Sequence, residues 1–457
     1  MDLATVILAA GKGTRMKSKL PKVLHHVCGS SMLSYVLDAA LGAGVSRIIV
    51  VVGCGAEQVA HEVAGRAQIV HQAEQLGTAH ALLQAAPSLS DFNGQLLVLC
   101  GDTPLIESGT LVELIQSHRS TGAAATVLTA SLEDPSGYGR VVRDNQGSVV
   151  KIIEQKDASP EEQQIREVNT GIYCFKTEGL FADLSGLAAN NAQGEYYLTD
   201  IIEINARRGK GIGAVTLADP LEVKGINDRV QLAEAEGYMR GRILRDLMFS
   251  GVTVLDPRRA FVDRKVQVGR DTIIYPDTII EGDTVIGEDC IIGPGVRLVN
   301  AVVGNGVSIQ YSVVSESSLE DGCSIGPFSH LRPGNSLGRQ VKIGNFSEVK
   351  QSVVGDGSKV SHLSYVGDAT IGKDVNIGAG TITCNYDGRN KYPTRIDDGV
   401  FIGSNTNLVA PVKIGAGSVT GAGSTITKDV PAGSLAVERS KQKIIPGWSS
   451  RDKHKKD

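Results

Sequence analysis

The sequence predicts two folds in one chain of 457 residues: an α/β domain with a mostly parallel sheet and, after a connecting helix, a parallel β-helix. Strand and helix patterns alternate over residues 2–227, which is typical of a parallel sheet covered on both faces. Apolar residues take a helical spacing over 228–250. Beyond residue 265 an aliphatic residue recurs every six positions. We therefore predict domains at 1–227 and 251–457, joined by a helical linker at 228–250.

Composition excludes several classes of protein. With 46 basic and 50 acidic residues the net charge is −4, so no bulk attraction to nucleic acid or to an anionic membrane is expected. No apolar segment approaches the length of a membrane span, and the first strand begins without a signal peptide. Seven scattered cysteines argue against a zinc site or a disulfide framework and favour the cytoplasm. A basic tail from about residue 449 is expected to be solvated.

The first predicted strand, Val6–Leu8, leads into a loop that contains Gly11 and Gly13. Glycine lets the backbone approach a ligand closely and direct its N–H groups at an anion. Several cations follow, Arg15 and Lys22 among them, so an anionic nucleotide is the expected ligand. The spacing fits neither the P-loop nor the dinucleotide fingerprint, because a methionine replaces the last glycine of each. On spacing alone, an ordinary strand-to-helix turn explains the loop equally well.

The next predicted elements lead to a candidate metal ligand. A helix is expected near Met32–Leu41, followed by buried strands at Arg47–Val52 and Gln95–Cys100. The last strand ends at Gly101 and Asp102. In open α/β sheets, ligands bind beyond the carboxyl ends of the strands. Asp102 alone could be a turn residue, but at this position its carboxylate is a credible ligand for magnesium.

Short polar segments follow between the predicted strands. They are Gln72–Thr78, Gly137–Arg140, Ile153–Lys156, Glu167–Gly171, Glu195–Asp200 and Gly225–Asn227. Each could be an ordinary turn or strand end, and Thr78 could simply cap a helix. In this order, and after the string LAAGKGTRM…LPK, they resemble the sugar-nucleotide pyrophosphorylases.

That resemblance implies roles for individual residues. Arg15 and Lys22 would hold the triphosphate of UTP, and Asp102 and Asn227 would be the protein ligands of Mg²⁺. The residues implied to contact uracil are Gln72, Gly77 and Thr78, and those implied to hold an N-acetylated hexose are Gly139, Glu154 and Asn169. The wall of the nucleotide site would be completed by Leu8, Ala9, Ala10, Gly11 and Gly101.

The six-residue period dominates the second half of the chain. Its positions include Val268, Ile274, Ile280, Ile286, Ile292 and Leu298, then Ile325, Leu331, Leu337, Ile343 and Val349, and again Ile402, Leu408 and Ile414. Such a period predicts a parallel β-helix with aliphatic residues stacked inside and glycine or asparagine at the corners. The phase slips near 303–319, 354 and 371. Hexapeptide repeats of this kind resemble left-handed β-helices.

Bulky polar residues interrupt these repeats. Arg332, Lys350, His362 and Tyr365 stand among small residues, and Thr383–Thr394 is a polar insertion. Any one of the four could be an exposed side chain of a coil, and a lone histidine usually would be. Loops that leave a rigid scaffold frequently carry function, however. Together these residues predict a second site.

Taken whole, the chain from Val6 to about Trp448 resembles the bifunctional bacterial enzymes that are N-acetylglucosamine-1-phosphate uridylyltransferases and glucosamine-1-phosphate N-acetyltransferases. The resemblance implies acetyl transfer from acetyl-CoA to glucosamine 1-phosphate in the second half. Uridylyl transfer from UTP follows in the first half and releases pyrophosphate. The product, UDP-N-acetylglucosamine, is a precursor of peptidoglycan and lipopolysaccharide. A homotrimer assembled through the β-helix is also implied.

The same resemblance assigns the residues of the second site. His362 would be the base that deprotonates the sugar ammonium, and Glu348 could orient or polarise it. Arg332 and Lys350 would pair with the sugar phosphate. The residues implied to line the paths of the sugar and of pantetheine are Tyr365, Asn376, Asn385 and Tyr386. Those implied to contact coenzyme A are Ala379, Ser404, Ala422 and Arg439.

Two rival interpretations need no acetyl transfer. In one, the chain is a sugar-1-phosphate nucleotidyltransferase whose β-helix serves only assembly or regulation. The polar residues and the insertion in the repeats count against it. In the other, the chain is a non-catalytic scaffold, as in initiation-factor exchange subunits with the same two modules. A scaffold has no use for Asp102, Arg15 and Lys22.

Overall fold

The computed structural model describes residues 2–450, so the predicted tail at Arg451–Lys456 lies outside the described residues. The chain divides into two compact units, the first ending at Met239 and the second beginning at Arg240. The predicted linker is a helix at Arg229–Phe249, which contributes residues to both units.

A mixed β-sheet runs through the first unit. Its strands and a short separate hairpin are β1 (Leu3–Ala9), β2 (His26–Val27), β3 (Ser30–Ser31), β4 (Arg47–Val52), β5 (Gln68–His71), β6 (Gln95–Cys100), β7 (Ala125–Ser131), β8 (Arg140–Arg143), β9 (Val149–Ile153), β10 (Glu167–Lys176) and β11 (Ile212–Thr216). The strand order is β11-β7-β10-β6-β1-β4-β5, and β10 is antiparallel to both of its neighbours. The other pairs along this path are parallel, so the predicted fold class is confirmed for this unit.

Helices cover this sheet. They are α1 (Met32–Gly42), α2 (Ala56–Glu62), α3 (Thr78–Leu83), α4 (Ser108–Thr121), α5 (Leu180–Ser185), α6 (Asp200–Arg207) and α7 (Arg229–Phe249). Short 3₁₀ turns lie at Thr14–Met16, Lys22–Leu24, Pro87–Leu89, Glu162–Gln164, Pro220–Val223 and Trp448–Ser450. Asp228 begins α7, since its carboxylate accepts the N–H groups of Val230 and Gln231, both at 2.9 Å. Gly251 follows the helix at a φ of 99°, a backbone conformation that favours glycine.

The register of the sheet places the predicted nucleotide loop. Leu8 at the end of β1 lies beside Val51 of β4 and Cys100 of β6. The loop after β1 therefore lies next to Gly101 and Asp102, at the carboxyl edge of the sheet. Ligands bind at this edge in open α/β sheets.

The second unit is a β-helix built from parallel faces. Face A contains Thr253–Val254, Ile273–Ile274, Ile291–Ile292, Ser308–Ile309, Ser324–Ile325, Lys342–Ile343, Lys359–Val360, Asn376–Ile377, Phe401–Ile402, Val419–Thr420 and Leu435–Ala436. Face B contains Ala260–Val262, Thr278–Glu281, Arg297–Val299, Val313–Ser315, His330–Leu331, Glu348–Lys350, Tyr365–Gly367, Ile382–Cys384, Asn407–Val409 and Thr425–Ile426. Face C contains Gln267–Val268, Val285–Ile286, Val302–Val303, Ser317–Leu319, Asn335–Leu337, Val353–Val354, Ala369–Ile371, Thr394–Ile396 and Val412–Ile414. The predicted β-helix is thereby confirmed.

The register of face A explains the phase slips in the repeat. Ile274 pairs with Ile292 one coil later, an interval of 18 residues. Ile292 pairs with Ile309 and Ile309 with Ile325, which are intervals of 17 and 16 residues. In each shortened coil the aliphatic residues remain buried in the same core, but their positions in the sequence shift by one or two residues relative to the six-residue repeat.

The corners of the coils differ from the prediction in one respect. Left-handed backbone occurs at asparagines such as Asn300 and Asn405, as expected. It also occurs at aspartates, including Asp271 and Asp289, and at the aromatic Phe328. Aspartate tolerates this conformation because its short side chain can hydrogen-bond to nearby backbone groups. Glycine and asparagine therefore occur at the corners as predicted, together with aspartate and aromatic residues that were not predicted.

The predicted insertion at 383–394 leaves the coils between two strands, one of face B and one of face C. Tyr386 and Lys391 pair as an antiparallel bridge, so the insertion is a small hairpin. The Asp387 carboxylate accepts the N–H groups of Arg389 and Asn390, both at 2.7 Å, and closes its turn. Among residues 2–450, no helix is long and apolar enough to cross a membrane.

Candidate active sites

Two adjoining cavities open at the carboxyl edge of the sheet in the first unit. The larger, of about 420 Å³, is lined by Leu8, Ala9, Ala10, Gly11, Lys22, Gln72, Gly77, Thr78 and Asp102 of the predicted nucleotide set. The smaller, of about 200 Å³, is lined by Gly139, Glu154 and Asn169 of the predicted sugar set. Leu8, Thr78 and Cys100 belong to both walls. Most of the predicted nucleotide set and the whole predicted sugar set therefore line neighbouring pockets, whereas Arg15, Gly101 and Asn227 are not among the lining residues.

The predicted metal ligands are joined by a lysine. Lys22 Nζ donates to the Asp102 carboxylate and to Asn227 Oδ1, the latter at 3.1 Å. Asp102 is also fixed through its backbone, since its carbonyl accepts the N–H of Ile226 at 3.0 Å. The two side-chain oxygens thus converge on one cationic group, an ammonium, and this oxygen donor set suits a hard divalent cation. No cluster of three or more His, Cys, Asp or Glu side chains among the described residues could hold a metal ion, so these two oxygens are the best-placed candidates.

Helix α7 fastens the loop that follows β1. Arg229 donates from Nε to the carbonyl of Met16 at 3.3 Å and from a terminal nitrogen to His25 Nδ1 at 3.2 Å. Burial, and secondarily the Arg229 charge, lowers the pKa of His25. Arg15, which was predicted to hold the triphosphate, is exposed on the same loop. Arg229 was not predicted as a site residue, because nothing in its local sequence indicates a partner more than 200 residues earlier.

The predicted uracil segment is held by its own side chains. Gln72 is buried, and its Nε2 donates to the Gly77 carbonyl at 3.2 Å and to His80 Nδ1 at 3.0 Å. Thr78 accepts the N–H of Leu198 at 3.1 Å and does not cap α3, so the capping interpretation was wrong. At Gly77 φ is 115°, and a Cβ would lie 2.5 Å from the carbonyl oxygen of a neighbouring tyrosine. Only glycine fits there.

The smaller cavity has a polar floor. Asn169 Nδ2 donates to the Tyr173 hydroxyl at 2.8 Å, and Asn169 Oδ1 accepts the N–H of Gly171 at 3.1 Å. Burial raises the pKa of the Glu154 carboxyl, and a hydrogen bond from Thr199 at 3.5 Å partly opposes that rise. Burial also raises the pKa of the adjacent Cys100 thiol to about 12, so this cysteine is a neutral wall residue.

The second candidate site lies on face B of the β-helix. Parallel pairing places Glu348 between His330 and Tyr365 of adjacent coils. Arg332 donates to Glu348 Oε1 at 3.1 Å, and both side chains are partly exposed. The structure therefore brings predicted residues of successive coils side by side.

The inserted hairpin adds a residue to this group. The nearby Lys350 ammonium lowers the pKa of Lys391, which places two cations together. Asn385 Nδ2 donates to the Asp368 carboxylate, and Tyr386 donates its hydroxyl to the hairpin carbonyl of Gly388 at 2.7 Å. Lys391 was not predicted, although its position in the insertion could have suggested it.

His362 lies in a column of corner residues. At each corner, the carbonyl of the corner residue accepts a hydrogen bond from a backbone N–H at the equivalent corner one coil later. The donor and acceptor pairs are Leu363 and Asn345, Gly380 and His362, Asn405 and Ala379, and Gly423 and Ser404. The predicted coenzyme A residues Ala379, Ser404 and Ala422 therefore continue the column that begins with Asn345 and His362. Arg439 donates to the Ala422 carbonyl at 2.9 Å, and Asn376 lies on face A between Lys359 and Phe401.

The partner of His362 differs from the one expected. His362 Nδ1 lies 2.6 Å from Asn345 Oδ1, whereas the carboxylate of Glu348 accepts from Arg332. Asn345 was not predicted as a site residue. It lies 17 residues before His362, the length of one shortened coil, and this interval was the signal available in the sequence.

Comparisons with known proteins agree with this architecture. Residues 4–219 match the nucleotidyl transferase family, and residues 265–300 and 393–428 match the bacterial transferase hexapeptide family of six repeats. The chain is 69% identical over 456 residues to the bifunctional protein GlmU of Pelotomaculum thermopropionicum, and the match covers 100% of both chains. It is 56% identical over 450 residues to GlmU of Heliobacterium modesticaldum, with 98% of each chain covered. It is 52% identical over 457 residues to GlmU of Pelobacter propionicus, with 99% of each covered.

Proposed function

This chain belongs to the family of the bifunctional protein GlmU, and on that premise we propose how its residues make UDP-N-acetylglucosamine in two steps. It is a transferase with acetyltransferase and uridylyltransferase activities that serve cell-wall synthesis. The relatives match along its whole length and are named bifunctional, so a β-helix used only for assembly or regulation is not favoured. The residue roles below are our proposal.

Acetyl transfer takes place on the β-helix. Arg332 and Lys350 pair with the phosphate of glucosamine 1-phosphate, and Lys391 adds a third cation beside Lys350. His362 takes one proton from the sugar ammonium. The free amine then attacks the thioester carbonyl, a C–N bond forms, the C–S bond breaks, and the sulfur of coenzyme A leaves. One proton goes to that sulfur and one to solvent.

The corner column supports this assignment. His362 and the small residues Ala379, Ser404 and Ala422 occupy equivalent corners of successive coils. Small side chains leave room along the column for an extended cofactor such as coenzyme A, while Arg439 at its end offers a cation. The thioester would thus be delivered to the corner where the base lies.

Uridylyl transfer takes place in the paired cavities of the first unit. The sugar rests against Gly139, Glu154 and Asn169, and UTP lies in the larger cavity with uracil against Gln72 and Thr78. A phosphate oxygen of N-acetylglucosamine 1-phosphate attacks the α-phosphorus of UTP, and the bond from that phosphorus to the bridging oxygen breaks to release pyrophosphate. Catalysis here is mainly positioning and charge stabilisation by the protein.

A divalent cation fits the oxygens of Asp102 and Asn227, and we infer that it is Mg²⁺. When bound, it neutralises charge on the phosphates of the nucleotide. Lys22, whose ammonium contacts both oxygens in the structure, would pair with the triphosphate together with Arg15.

One observation carries the uridylyl assignment: a nucleotide-sized cavity and a sugar-sized cavity share a wall at the carboxyl edge of the sheet. The test supplies the full chain with isotope-labelled acetyl-CoA and glucosamine 1-phosphate, and then with UTP. We expect label first in N-acetylglucosamine 1-phosphate and then in the UDP-sugar. Label that never leaves acetyl-CoA would contradict the acetyltransferase, and label that stops in the sugar phosphate would contradict the uridylyltransferase.

We further infer a homotrimer formed through the β-helix, working in the cytoplasm. Left-handed β-helix acyltransferases assemble in this way, with their sites between subunits. Light scattering should give a mass three times the 48.1 kDa of one chain. A monomeric mass with full acetyltransferase activity would contradict the trimer.

A further inference from the structure

The surroundings of His362 contain a residue with no role in the mechanism above. Asn345 occupies the equivalent corner one coil earlier, and its Oδ1 lies 2.6 Å from His362 Nδ1. The backbones of the two corners approach closely at Gly344 and Ser361, the residues just before Asn345 and His362. A Cβ at Gly344 would lie only 1.9 Å from the carbonyl oxygen of Ser361. The backbone therefore fixes the position of Asn345 relative to His362.

We propose that Asn345 is a positioning residue for acetyl transfer, which selects the tautomer and the ring orientation in which His362 acts as the base. The proposal rests on the proposed function, in which His362 removes the proton from the sugar ammonium. It goes beyond that function by assigning the group that makes the base competent.

The chemistry follows from the atoms that meet. An amide oxygen has no hydrogen and can only accept, so His362 Nδ1 must carry the proton of this hydrogen bond. In a neutral imidazole the other nitrogen, Nε2, then holds the lone pair. Nε2 is thereby the atom that takes a proton from the sugar ammonium, and the hydrogen bond at Nδ1 keeps the ring aimed. An exposed histidine without this bond would rotate and exchange tautomers.

The obvious alternative for this role is Glu348. Its carboxylate accepts from Arg332 at 3.1 Å, whereas the His362 ring is fixed by the hydrogen bond that its Nδ1 donates to Asn345 Oδ1. Glu348 lies on a strand of face B, while Asn345 lies at the corner before that strand. The two residues therefore have different roles: Glu348 pairs with Arg332, and Asn345 orients the imidazole of His362.

The test compares two substitutions of nearly equal size in the full chain. Asn345→Leu removes the acceptor, and Asn345→Asp keeps an oxygen at the same position. We expect the leucine variant to lose about 10- to 100-fold in kcat for acetyl transfer, the usual effect of removing an orienting partner. KM for both substrates should stay within about twofold, since no binding contact is removed. The aspartate variant should keep kcat within a few-fold, and uridylyl transfer by the same samples controls for folding.

A spectroscopic measurement on the unmodified chain tests the tautomer directly. With ¹⁵N-labelled histidine, the signal absent from His362→Ala identifies His362 among the nine histidines. We expect the Nδ1–H tautomer in the wild type and its loss in Asn345→Leu. The wild-type spectrum alone can overturn the proposal, since an Nε2–H tautomer of His362 would contradict it. The test therefore remains valid even if the Asn345 variants do not fold.

The kinetic outcomes are equally decisive. A leucine variant with normal kcat overturns the proposal, and so does an aspartate variant as slow as the leucine variant, because the oxygen would then not matter. Full acetyl transfer in His362→Ala would overturn the role of the base itself and the positioning role with it. If the His362→Ala variant has a normal kcat for acetyl transfer, the proposed function has failed. If His362→Ala is slow but Asn345→Leu has a normal kcat, only the present inference has failed.

Discussion

The two candidate sites of this chain are assembled in opposite ways. In the first unit, Lys22 contacts Asp102 and Asn227, which are 80 and 205 residues away in the sequence. In the β-helix, the pairs Arg332–Glu348 and Asn345–His362 are separated by only 16 and 17 residues, which is one coil. The first site depends on the whole α/β fold, whereas the contacts of the second site within one chain depend only on a coil and its neighbours.

Because of this difference, a substitution or truncation should have local effects in the β-helix and wider effects in the first unit. In a solenoid each coil contacts only the coils beside it, so the effects of a substitution stay local. In the first unit, distant segments hold one another, and removing a remote segment should disturb the site.

Asp102→Ala should reduce uridylyl transfer by more than about 10³-fold, because it removes the only carboxylate proposed for the metal. Asp102→Asn should be nearly as slow, since charge rather than shape attracts the cation. Acetyl transfer by the same sample should be unchanged. Measuring both activities on one preparation checks the prediction. Uridylyl transfer at the wild-type rate in either variant would remove Asp102 from the mechanism.

His362→Ala should lower kcat for acetyl transfer by about 10²- to 10⁴-fold, the usual contribution of a positioned base. Affinity for coenzyme A, measured by calorimetry, should change little, because its proposed contacts lie at other corners of the column. Uridylyl transfer should not change. If His362 is only an exposed residue of a coil, the loss will stay within a few-fold.

Truncation sharpens the contrast between the units. A fragment of residues 1–239 keeps two hydrogen bonds from α7 to the first unit. Arg229 donates to the Met16 carbonyl, and the Glu236 carboxylate accepts the N–H of Cys28 at 2.7 Å. A fragment of residues 1–227 loses both. We expect the shorter fragment to be roughly tenfold slower in uridylyl transfer, the effect of one or two lost charged hydrogen bonds. Residues 251–457 should retain acetyl transfer. Equal rates for 1–227 and 1–239 would show that α7 does not support the site.

The smallest expected effect concerns Glu154. Burial raises the pKa of its carboxyl, so the folded chain binds this proton more tightly than the unfolded chain. The buried charge therefore lowers the free energy of unfolding above the raised pKa, and this cost disappears as pH falls through it. Glu154→Gln should raise Tm at neutral pH by about 1–3 °C, with no gain under acidic conditions. It should also raise KM for N-acetylglucosamine 1-phosphate several-fold. A lower Tm at neutral pH would contradict this account.

Sequence periodicity was sufficient for the fold but not for every contact. The strand Gln95–Cys100 and the aliphatic columns of the β-helix could be predicted because burial imposes a period on the sequence. Lining residues such as Gln72 and Glu154 were found through family resemblance. Arg229 could not be found in either way, because its contact with Met16 exists only after the sheet has brought the two segments together.

Asn345 is an instructive intermediate case. Its partner lies one coil away, so counting back 17 residues from His362 would have found it. A strict six-residue period would place equivalent corners 18 residues apart, whereas this coil has 17 residues. Local spacing in a solenoid thus contains tertiary information, provided that the length of each coil is known.

The contacts of Lys22 and Arg229 also have a thermodynamic consequence. Together they tie the loop after β1 to the segment around Asn227 within the folded chain itself. The conformational entropy of that loop is therefore lost during folding rather than when a nucleotide arrives. A preorganised receptor of this kind leaves more of the contact energy available as affinity.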